Sequence, residues 1–458
     1  MDKINLEDTI VAIATGEVVS AIGIVRLSGS HAFDVVQKMF PSKNLKELPT
    51  HTLHFGKIYD EKGHFLDEVV ISIFKSPHSY TKEDVVEISC HGNPLILRKI
   101  LEACVRLGAR VAQPGEFTLR AFLNGRLDLA QAEAVADLIH ANSDKAHELA
   151  LKQLKGGFAN DLKKLRAQLL DLASLLELEL DFSEEDVEFA DRNQLVHTLQ
   201  QILEKIQQLK NSFQLGNVIK KGIPTVIVGR PNAGKSSLLN LLLNENRAIV
   251  SDIAGTTRDT IEECINLEGF LFQLIDTAGI RKAYDTIEVI GIQKTFEKIQ
   301  NAAVLIYLFD CQKITENEIL FDFQQFPQNL FTVLIANKID LNPGFEFTDN
   351  LKKICQASLK ISCLQPESIE KLKKTLIHFA KNQSQNYSTV ITSARHYEAL
   401  ERCYVALTQA LENMKMGISS EFIAQDLRQV LYHLGTITGE ITNDEILSNI
   451  FSKFCIGK

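Results

Sequence analysis

The stretch GRPNAGKSS at positions 229–237 has the residue types and spacing of a phosphate-binding loop. It follows the apolar run TVIVG and precedes SLLNLLL, which is the order of strand, loop and helix that such a loop requires. Backbone N–H groups from Asn232 to Lys235 would surround phosphate oxygens, the Lys235 ammonium would reach the outer phosphates, and the Ser236 hydroxyl would bind Mg²⁺. A chance glycine-rich loop is the alternative, and the flanking elements argue against it.

Two further motifs follow along the chain in the order of a guanine-nucleotide site. DTAG at 276–279 ends an apolar run, where Asp276 can hold Mg²⁺ through water and the Gly279 N–H can reach the γ-phosphate. NKID at 337–340 ends a later run, and the Asp340 carboxylate can accept hydrogen bonds from guanine N1–H and the 2-amino group. Adenine lacks this pair of donors, so the three motifs together predict GTP rather than ATP as the nucleotide.

The segment DIAGTTRD at 252–259 lies between the first two motifs, where a segment that senses the γ-phosphate is expected. Thr257 is its natural second Mg²⁺ ligand. Ile280, which follows DTAG, cannot orient a water molecule as the glutamine of Ras-type GTPases does. Hydrolysis therefore needs another polar residue in that role.

The composition narrows the class of protein that carries this site. With 458 residues, 45% of them hydrophobic, the chain can bury large cores and should form about three domains. The eight cysteines include no CxxC pair, which argues against a zinc site or a disulfide framework. A formal net charge of -9 argues against broad nonspecific polyanion binding but leaves a local basic patch open. No apolar run approaches the roughly 18 residues of a membrane span, and the N-terminus carries acids, so we expect a cytoplasmic protein without membrane contact.

Hydrophobic periodicity divides the chain into four segments. Residues 1–119 alternate the short β-rich runs TIVAIAT, AIGIVRLSG, EVVISIF and VVEISC with the helical stretch PLILRKILEACVRLGA, and residues 120–217 have helical spacing. Residues 218–379 alternate the strand-like runs TVIVG, LFQLIDTAG, AVLIYLFD and FTVLIANKID with helices, and residues 380–458 return to helical spacing after the polar linker KNQSQNYS. The simplest hypothesis is an α/β domain inserted into one helical domain, because two thin helical stretches could then pack together. The acidic stretch DFSEEDVEFAD at 181–191 lacks calcium-loop spacing and predicts a solvated helix boundary.

The motifs also carry a family resemblance. GRPNAGKSS, DIAGTTRD, DTAG with a following apolar residue, NKID and the terminal FCIGK together resemble the MnmE (TrmE) family of tRNA modification GTPases. The likeness extends to LRAFLNGRLDLAQAEAVADLI at 119–139 and to AIGIVRLSG at 21–29, so it covers essentially the whole chain. It implies a multidomain α/β and α fold, with an N-terminal α+β folate-binding and dimerisation domain, a helical domain in two parts, and an inserted Ras-like P-loop GTPase domain.

The resemblance further implies a reaction. With an FAD-dependent partner of the MnmG type, the family forms a carboxymethylaminomethyl or aminomethyl group at C5 of the wobble uridine of certain tRNAs. The one-carbon unit comes from a formyl- or methylene-tetrahydrofolate, FAD is bound by the partner only, and GTP hydrolysis acts as a conformational drive. A homodimer that joins the partner in a heterotetramer or larger assembly is implied as well.

The resemblance assigns roles around the nucleotide. Asn232 matches a P-loop asparagine that binds potassium, whose further oxygen ligands would be Ser251, Ile253 and Thr256. The cation would replace an arginine finger by neutralising the charge that develops between the phosphates. The G domains of two subunits would pair across this loop. Glu288 matches the catalytic residue that orients water, although by itself it would be a solvated carboxylate, and Arg281 is a weaker switch candidate. The GTP-binding set is Asn232, Ala233, Gly234, Lys235, Ser236, Ser237, Ser251, Asp252, Ile253, Ala254, Gly255, Thr256, Thr257, Asp276, Thr277, Ala278, Gly279, Asn337, Lys338, Ile339, Asp340, Ser362, Cys363 and Leu364.

Four residues match positions that contact formyl-tetrahydrofolate in the family, namely Arg26, Glu87, Arg126 and Lys458. Guanidinium and carboxylate groups suit the pterin edge and the glutamate tail of a folate, although each residue alone would be an ordinary surface charge. The chain departs from the family pattern in three places. Thr15 is followed by GEVVSA instead of a proline–glycine loop, Arg126 stands where many members have lysine, and a SAK-type motif is reduced to Ser362, Cys363 and Leu364.

The thiol of Cys455 in FCIGK leaves several interpretations open. Prenylation is disfavoured because the last residue is Lys458 and no polybasic segment precedes it. Burial at the end of the amphipathic stretch EILSNIFSKF is a purely structural interpretation. The resemblance favours a catalytic Cys455 that CIGK brings toward the folate and uridine site, as nucleophile, acid or electron donor.

A second function class is a GTP-operated switch for RNA or ribosome assembly without modification chemistry. Related GTPase domains share GRPNAGKS and NKxD, so these motifs fit both classes. The N-terminal domain and CIGK favour the modification enzyme, because an assembly switch needs neither. The acidic total charge also counts modestly against an RNA-binding switch.

Overall fold

The computed structural model describes residues 7–16, 18–181, 192–246, 263–276, 299–300, 302–327, 330–384, 389–442, 444–452, 454–455 and 457. The chain divides into two units, of which the first comprises 1–136, 153–189 and 418–458 and the second 137–152 and 190–417. Within the described ranges, no helix is both long enough and apolar enough to cross a membrane.

The first unit begins with six strands and three helices, which are β1 (Ile10–Ile13), β2 (Ser20–Ser28), α1 (Ala32–Met39), β3 (Thr52–Tyr59), β4 (Phe65–Phe74), β5 (Val85–Gly92), α2 (Pro94–Arg106), β6 (Arg110–Val111) and α3 (Glu116–Leu123). The strands form one sheet in the order β3-β4-β5-β2-β1-β6. All neighbouring strands run antiparallel except β1 and β6, which are parallel. The mixed α/β pattern predicted for this part of the chain is confirmed.

The two faces of this sheet have different environments. Val25 and Leu27 of β2 are buried in a core that α1 and α2 complete. Since successive strand residues point to opposite faces, Arg26 and its cross-strand partner Glu87 lie on the other face. Helix α2 begins in a well-defined way, with Pro94 at its start and the Asn93 side chain accepting a hydrogen bond from the N–H two residues on. Arg26 and Glu87, two of the residues predicted to contact folate, therefore lie on the face that α1 and α2 leave uncovered.

In the described residues, the next helices are α4 (Leu129–Ile139), α5 (Asp144–Leu154), α6 (Gly157–Asp181) and α7 (Arg192–Lys221). The second unit then contains β7 (Ile223–Val228), α8 (Lys235–Asn246), β8 (Glu263–Leu267), β9 (Phe270–Asp276), β10 (Val304–Asp310), α9 (Glu316–Phe323), β11 (Phe331–Asn337), α10 (Asp349–Lys353), β12 (Ala357–Lys360) and α11 (Ile369–Ser384). The sheet order is β12-β11-β10-β7-β9-β8, and only β8 and β9 are antiparallel. This doubly wound arrangement confirms the predicted alternation of strands and helices and places the carboxyl ends of β7, β10 and β11 at one edge.

The linker predicted after residue 379 is shorter than the sequence suggested. Helix α11 continues to Ser384, so the first half of KNQSQNYS is helical. Lysine, asparagine, glutamine and serine all tolerate a helix, and no glycine or proline stops it. The Lys381 ammonium also forms an ion pair with Glu268 at 2.6 Å.

In each unit, a helix that precedes the second sheet in the sequence packs against a helix that follows it. The later helices are α12 (Ala394–Lys415), α13 (Ser420–Thr438) and α14 (Asp444–Phe451). In the first unit α6 packs against α13, where Arg428 and Glu177 form an ion pair at 2.7 Å. In the second unit α7 packs against α12, where the rings of Phe213 and Tyr397 stack with centroids 4.8 Å apart.

Candidate functional site

The phosphate-binding loop joins β7 to α8 and lies against β10 and β11. Asn232 and Gly234 have φ angles of 64° and 102°, in the left-handed region that asparagine and glycine tolerate best. A Cβ on Gly234 would lie 2.3 Å from Asn337 Nδ2. A Cβ on Gly229 would lie 2.0 Å from the Leu308 carbonyl oxygen. Glycine at these two positions therefore permits the close approach of the loop to both strands.

The Lys235 ammonium reaches back across this loop. Its Nζ donates hydrogen bonds to the carbonyl oxygens of Gly229 at 2.5 Å and Arg230 at 3.0 Å. Ser236 and Ser237 follow in the first turn of α8, at the positive end of the helix dipole. An ammonium, a hydroxyl and loop N–H groups thus meet at one helix N-terminus, which is an arrangement suited to phosphate and Mg²⁺.

Asn337, at the end of β11, connects NKID to the phosphate-binding loop. Its Nδ2 donates a hydrogen bond to the Ala233 carbonyl oxygen at 2.7 Å, and its Oδ1 accepts one from the Cys363 N–H at 3.3 Å. The residue is only 1% exposed, so both ends of its amide need these protein partners. One side chain therefore joins three of the predicted GTP-binding segments.

The Asp340 carboxylate is oriented by the shortened third segment. Ser362 Oγ donates a hydrogen bond to Asp340 Oδ1 at 2.6 Å, and the same hydroxyl oxygen accepts one from the Leu364 N–H at 3.3 Å. An ionised carboxylate can only accept, so the hydroxyl proton must point toward it. Ser362 is 1% exposed, whereas Leu364 is 83% exposed. The serine therefore fixes the carboxylate predicted to recognise guanine.

An ion pair with a buried carboxylate supports the lysine of NKID. Lys338 has a φ of 63°, and its Nζ lies 2.8 Å from Asp310 Oδ2 at the end of β10. Burial raises the pKa of Asp310, but hydrogen bonds from Lys338 and from the Gln312 N–H lower it more, and the net pKa lies below its usual value. Asp310 is therefore ionised at neutral pH and holds the ammonium in place.

Part of the predicted site lies outside the described residues. The backbone of Asp276 ends β9, but its side chain is not described. The other predicted residues in this category are Ser251, Asp252, Ile253, Ala254, Gly255, Thr256, Thr257, Thr277, Ala278, Gly279, Arg281, Glu288 and Lys458. Among the side chains that the structure does describe, no group of three or more His, Cys, Asp or Glu could hold a metal ion.

A second cluster lies in the first unit, on the sheet face opposite α1 and α2. Arg26 Nε donates a hydrogen bond to Glu87 Oε1 at 2.8 Å, and Arg26 Nη2 lies 2.7 Å from the same oxygen. The two side chains are 18% and 21% exposed. The pair is therefore half-buried but still reachable from solvent.

Tyr80 connects this pair to Arg126. The guanidinium carbons of Arg126 and Arg26 lie 4.7 Å and 5.8 Å from the centre of the Tyr80 ring. Arg126 Nη1 also donates a hydrogen bond to the Tyr80 carbonyl oxygen at 3.0 Å, and the Phe117 ring lies 5.7 Å from the Arg26 guanidinium carbon. The structure thus brings together Arg26, Glu87 and Arg126 around the rings of Tyr80 and Phe117, and we call these five residues the folate-type cluster.

The C-terminal segment docks beside this cluster. Arg26 Nη1 donates a hydrogen bond to the Gly457 carbonyl oxygen, and the Cys455 carbonyl oxygen accepts one from the Gly115 N–H, both at 3.4 Å. Gly457 has a φ of 94°, and a Cβ there would lie 2.6 Å from the Ile13 carbonyl oxygen. Cys455 itself is exposed, which does not fit the interpretation of a thiol buried for packing.

Comparison with known proteins covers both units. A family model described as GTP-binding protein TrmE N-terminus matches residues 9–126, and one described as MnmE helical domain matches residues 129–455. A tRNA modification GTPase MnmE from Cytophaga hutchinsonii is 52% identical, over 99% of this chain and 98% of the relative. Proteins of the same name from Flavobacterium johnsoniae (48%, 99% of each chain) and Christiangramia forsetii (47%, 99% of this chain and all of the relative) are similar.

The chain belongs to the MnmE family of tRNA modification GTPases. It is therefore a GTP hydrolase with a P-loop GTPase domain, and the resemblance stated from the sequence motifs is confirmed.

The phosphate-binding loop of this MnmE-family chain has a support that the motifs did not reveal. Arg230 Nε donates a hydrogen bond to Asp322 Oδ2 in α9 at 3.1 Å, and the guanidinium also pairs with Glu318. The Tyr307 hydroxyl donates to the same Asp322 oxygen at 2.5 Å. Arg230 and Asp322 are 92 positions apart, so no local sequence pattern could have paired them.

Proposed function

We propose that this chain is a potassium-stimulated GTPase that works with an FAD-dependent partner of the MnmG type on certain tRNAs. The product would be a carboxymethylaminomethyl or aminomethyl group at C5 of the wobble uridine, with a one-carbon unit from a tetrahydrofolate derivative. The observation that carries the proposal is the docked C-terminal segment, in which an exposed Cys455 lies close to Gly457 and its contact with Arg26. A switch that only binds RNA has no need for a thiol at such a cluster.

The described part of the loop fits a Mg²⁺-bound nucleotide. The loop packs against Asn337 at Gly234, the Lys235 ammonium lies against the Gly229 and Arg230 carbonyl oxygens, and oxygen atoms are the ligands that Mg²⁺ prefers. Bound Mg²⁺ and potassium would supply positive charge that stabilises charge developing on the phosphates. Glu288 is proposed to orient the attacking water. The proposed ligands are Ser236 and Thr257 for Mg²⁺, and Asn232, Ser251, Ile253 and Thr256 for potassium.

The second cluster fits a folate derivative. The Glu87 carboxylate can accept hydrogen bonds from the donor edge of a pterin. The guanidinium groups of Arg26 and Arg126 suit carboxylates of a glutamate tail, and the adjacent aromatic rings provide apolar walls. Lys458 is a fourth proposed contact.

A homodimer is proposed through the sheet of the first unit. Leu53 and Phe55 of β3 and Ile22 of β2 are all more than half exposed. Leu53 is the cross-strand partner of Ser72, which in turn pairs with Glu87, so these apolar side chains share the face of the folate-type cluster. Exposed apolar side chains on one face of a sheet are typical of a protein interface, and a second copy of the chain would cover them.

Calorimetric titration of the full chain with formyl-tetrahydrofolate tests the proposal. We expect saturable binding that Arg26→Ala abolishes, because this change removes the guanidinium and leaves Glu87 without it. Arg106→Ala is the matched control, since this exposed arginine of α2 pairs with Glu61 in the turn between β3 and β4.

A folded, GTP-hydrolysing protein that binds no formyl-tetrahydrofolate would contradict the folate assignment. The GTP-operated RNA or ribosome assembly switch would then become the better hypothesis.

The role of the nucleotide is tested separately with Lys235→Ala, which should abolish GTP binding and uridine modification together. Modification that persists in this variant would exclude GTP hydrolysis as its drive.

A further inference from the structure

The loop between β4 and β5 is attached to α3 and to the two residues that follow it by side chains from both segments. The hydrogen bonds are Tyr80 Oη with Thr118 Oγ1 at 2.9 Å, Asn124 Nδ2 to the Thr81 carbonyl oxygen at 2.7 Å, Lys82 Nζ to the Gly125 carbonyl oxygen at 3.0 Å, and Arg120 Nη1 to Glu83 at 3.3 Å. Several independent hydrogen bonds restrict the loop more than one could. The position of the Tyr80 ring relative to α3 is therefore well determined.

This ring contacts both cationic groups of the folate-type cluster. Arg126 follows α3, and its guanidinium carbon lies 4.7 Å from the centre of the Tyr80 ring, while that of Arg26 lies 5.8 Å from it. Both distances are within the range of a cation–π interaction. The loop that α3 holds thus fixes the separation of two guanidinium groups from different parts of the sequence.

The two arginines differ in how their charge is balanced. Arg26 forms an ion pair with Glu87. In the described part of the chain, Arg126 instead contacts the Tyr80 ring and the Tyr80 carbonyl oxygen. Neither of these contacts neutralises the guanidinium. Arg126 therefore keeps its positive charge for an anionic group of a ligand, in a position that Tyr80 sets.

We propose that Tyr80 is a positioning residue of the folate site, which holds the guanidinium groups of Arg26 and Arg126 so that both face one ligand. The ligand class is a planar heterocycle with a carboxylate tail. The inference rests on the proposed function, because it assigns Tyr80 to a site that this function requires.

Calorimetric titration of the full chain with formyl-tetrahydrofolate measures the effect of the ring. Tyr80→Leu should bind about ten-fold more weakly, because both cation–π contacts are lost. Tyr80→Phe keeps the ring and loses only the hydrogen bond to Thr118, so its affinity should stay within about three-fold of the unchanged chain. Tyr404→Leu is the matched control, since this half-buried ring contacts the Lys210 ammonium at 4.2 Å in the second unit.

A double-variant cycle tests whether Tyr80 acts through Arg126. If it does, Tyr80→Leu combined with Arg126→Gln should bind about as weakly as the weaker of the two single variants. Losses that multiply would show that the two residues act independently and would overturn the inference. Tyr80→Met, which has a similar volume but no ring face, repeats the test if Tyr80→Leu does not fold.

The outcomes separate this inference from the function on which it rests. Absence of binding to the unchanged chain would reject the folate assignment and the role of Tyr80 together. Binding to the unchanged chain that Tyr80→Leu leaves intact, or that Tyr80→Phe weakens as much as Tyr80→Leu does, would overturn only the role of Tyr80.

Discussion

Asp340 is the residue that we propose selects the nucleotide base. Its carboxylate is held by the buried Ser362 hydroxyl at 2.6 Å, next to a phosphate-binding loop that Asn337 connects to the same segment. An acceptor pair held in this way would recognise the two donors on the guanine edge and would reject a base that lacks them.

The variant Asp340→Asn tests this recognition. It should weaken GTP binding by roughly two to four orders of magnitude, because two charge-assisted hydrogen bonds are lost. Xanthosine triphosphate should bind the variant better than GTP does, since xanthine has a carbonyl oxygen where guanine has its 2-amino group. Nucleotide binding at equilibrium measures both effects, and Asp349→Asn, with a side chain 92% exposed, is the control. Unchanged GTP affinity in Asp340→Asn would contradict the assignment.

Asp8 gives the first unit an acid-sensitive contribution to stability. Burial raises the pKa of Asp8, but hydrogen bonds from Arg110 and Arg120 lower it more, so its net pKa lies below the usual 3.8. A carboxyl group with a lowered folded-state pKa adds stability that is fully present above its unfolded pKa and is lost as the pH falls through the folded value. The contribution of Asp8 should therefore be constant near neutral pH and decline below about pH 4.

Chemical unfolding of the full chain at several pH values measures this contribution. Asp8→Asn should be less stable than the unchanged chain at pH 7, and its stability should fall less between pH 5 and pH 3, since one ionisable partner of the two arginines is gone. An identical pH dependence in the two proteins would show that this carboxylate is not coupled to folding.

Single residues were predictable where a motif fixes both their type and their spacing. GRPNAGKSS and NKID predict that Asn232 and Lys235 lie at a strand-to-helix junction and that Asp340 follows a strand, as the structure has them, and the family resemblance points to Arg26 and Glu87, which form an ion pair. Their supporting partners were not predictable. Asp310, Asp322 and Tyr80 are ordinary polar residues in the sequence, and their roles depend on contacts that only the folded chain creates.

Elements were predicted best at the centres of the two sheets. The apolar runs correctly identified β1, β2, β4 and β5 in the first sheet and β7, β9, β10 and β11 in the second. The four strands without a prediction, β3, β6, β8 and β12, are the edge strands of the two sheets. An edge strand pairs on one side only and is often short or partly solvated, as in the two-residue β6, so it lacks the apolar run that marks a central strand.

The contact between α7 and the segment before α12 depends on one glycine. A Cβ on Gly216 would lie 1.8 Å from the Ile391 carbonyl oxygen, and the adjacent Ile391 N–H donates a hydrogen bond to Ser212 Oγ at 3.2 Å. The Ile391 backbone cannot move away from a new methyl group as easily as the end of a flexible side chain could. Gly216→Ala should therefore lower the free energy of unfolding by about 1–3 kcal/mol.

Gly344→Ala is the control for this change, because a Cβ at that position would have no atom within 4 Å. Denaturant unfolding of both variants compares them with the unchanged chain. A Gly216→Ala protein as stable as the Gly344→Ala protein would show that the two segments are not in close contact.

At the scale of the whole molecule, each unit contains a helix that precedes the second sheet in the sequence and packs against a helix that follows it. The sequence predicted that two such groups of helices exist, because each has an apolar stripe. It could not predict that α6 pairs with α13 and α7 with α12, since an apolar stripe does not specify its partner. The domain limits at residues 119, 217 and 379 remain predictions.

The proposed homodimer is a property of the whole molecule that one apolar side chain can test. Phe55→Asp places a charge on the exposed sheet face and should shift the protein from dimer to monomer in sedimentation analysis. Phe321→Asp, which changes an exposed phenylalanine of α9 in the second unit, should leave the dimer intact. Equal dimer content in both variants would place the interface elsewhere.

The measurement that tests the central claim most directly is wobble-uridine modification by the Cys455→Ser variant. The variant is incubated with tRNA, the partner protein, GTP and the folate, and mass spectrometry of the tRNA measures the modified uridine. Serine keeps the size of the side chain and removes the thiol, and the residue is exposed, so folding should be unaffected. The account predicts GTP turnover within about two-fold of the unchanged chain together with loss of modified uridine. Full modification by this variant, at an unchanged rate of GTP hydrolysis, would contradict the claim that the docked C-terminal thiol takes part in the chemistry.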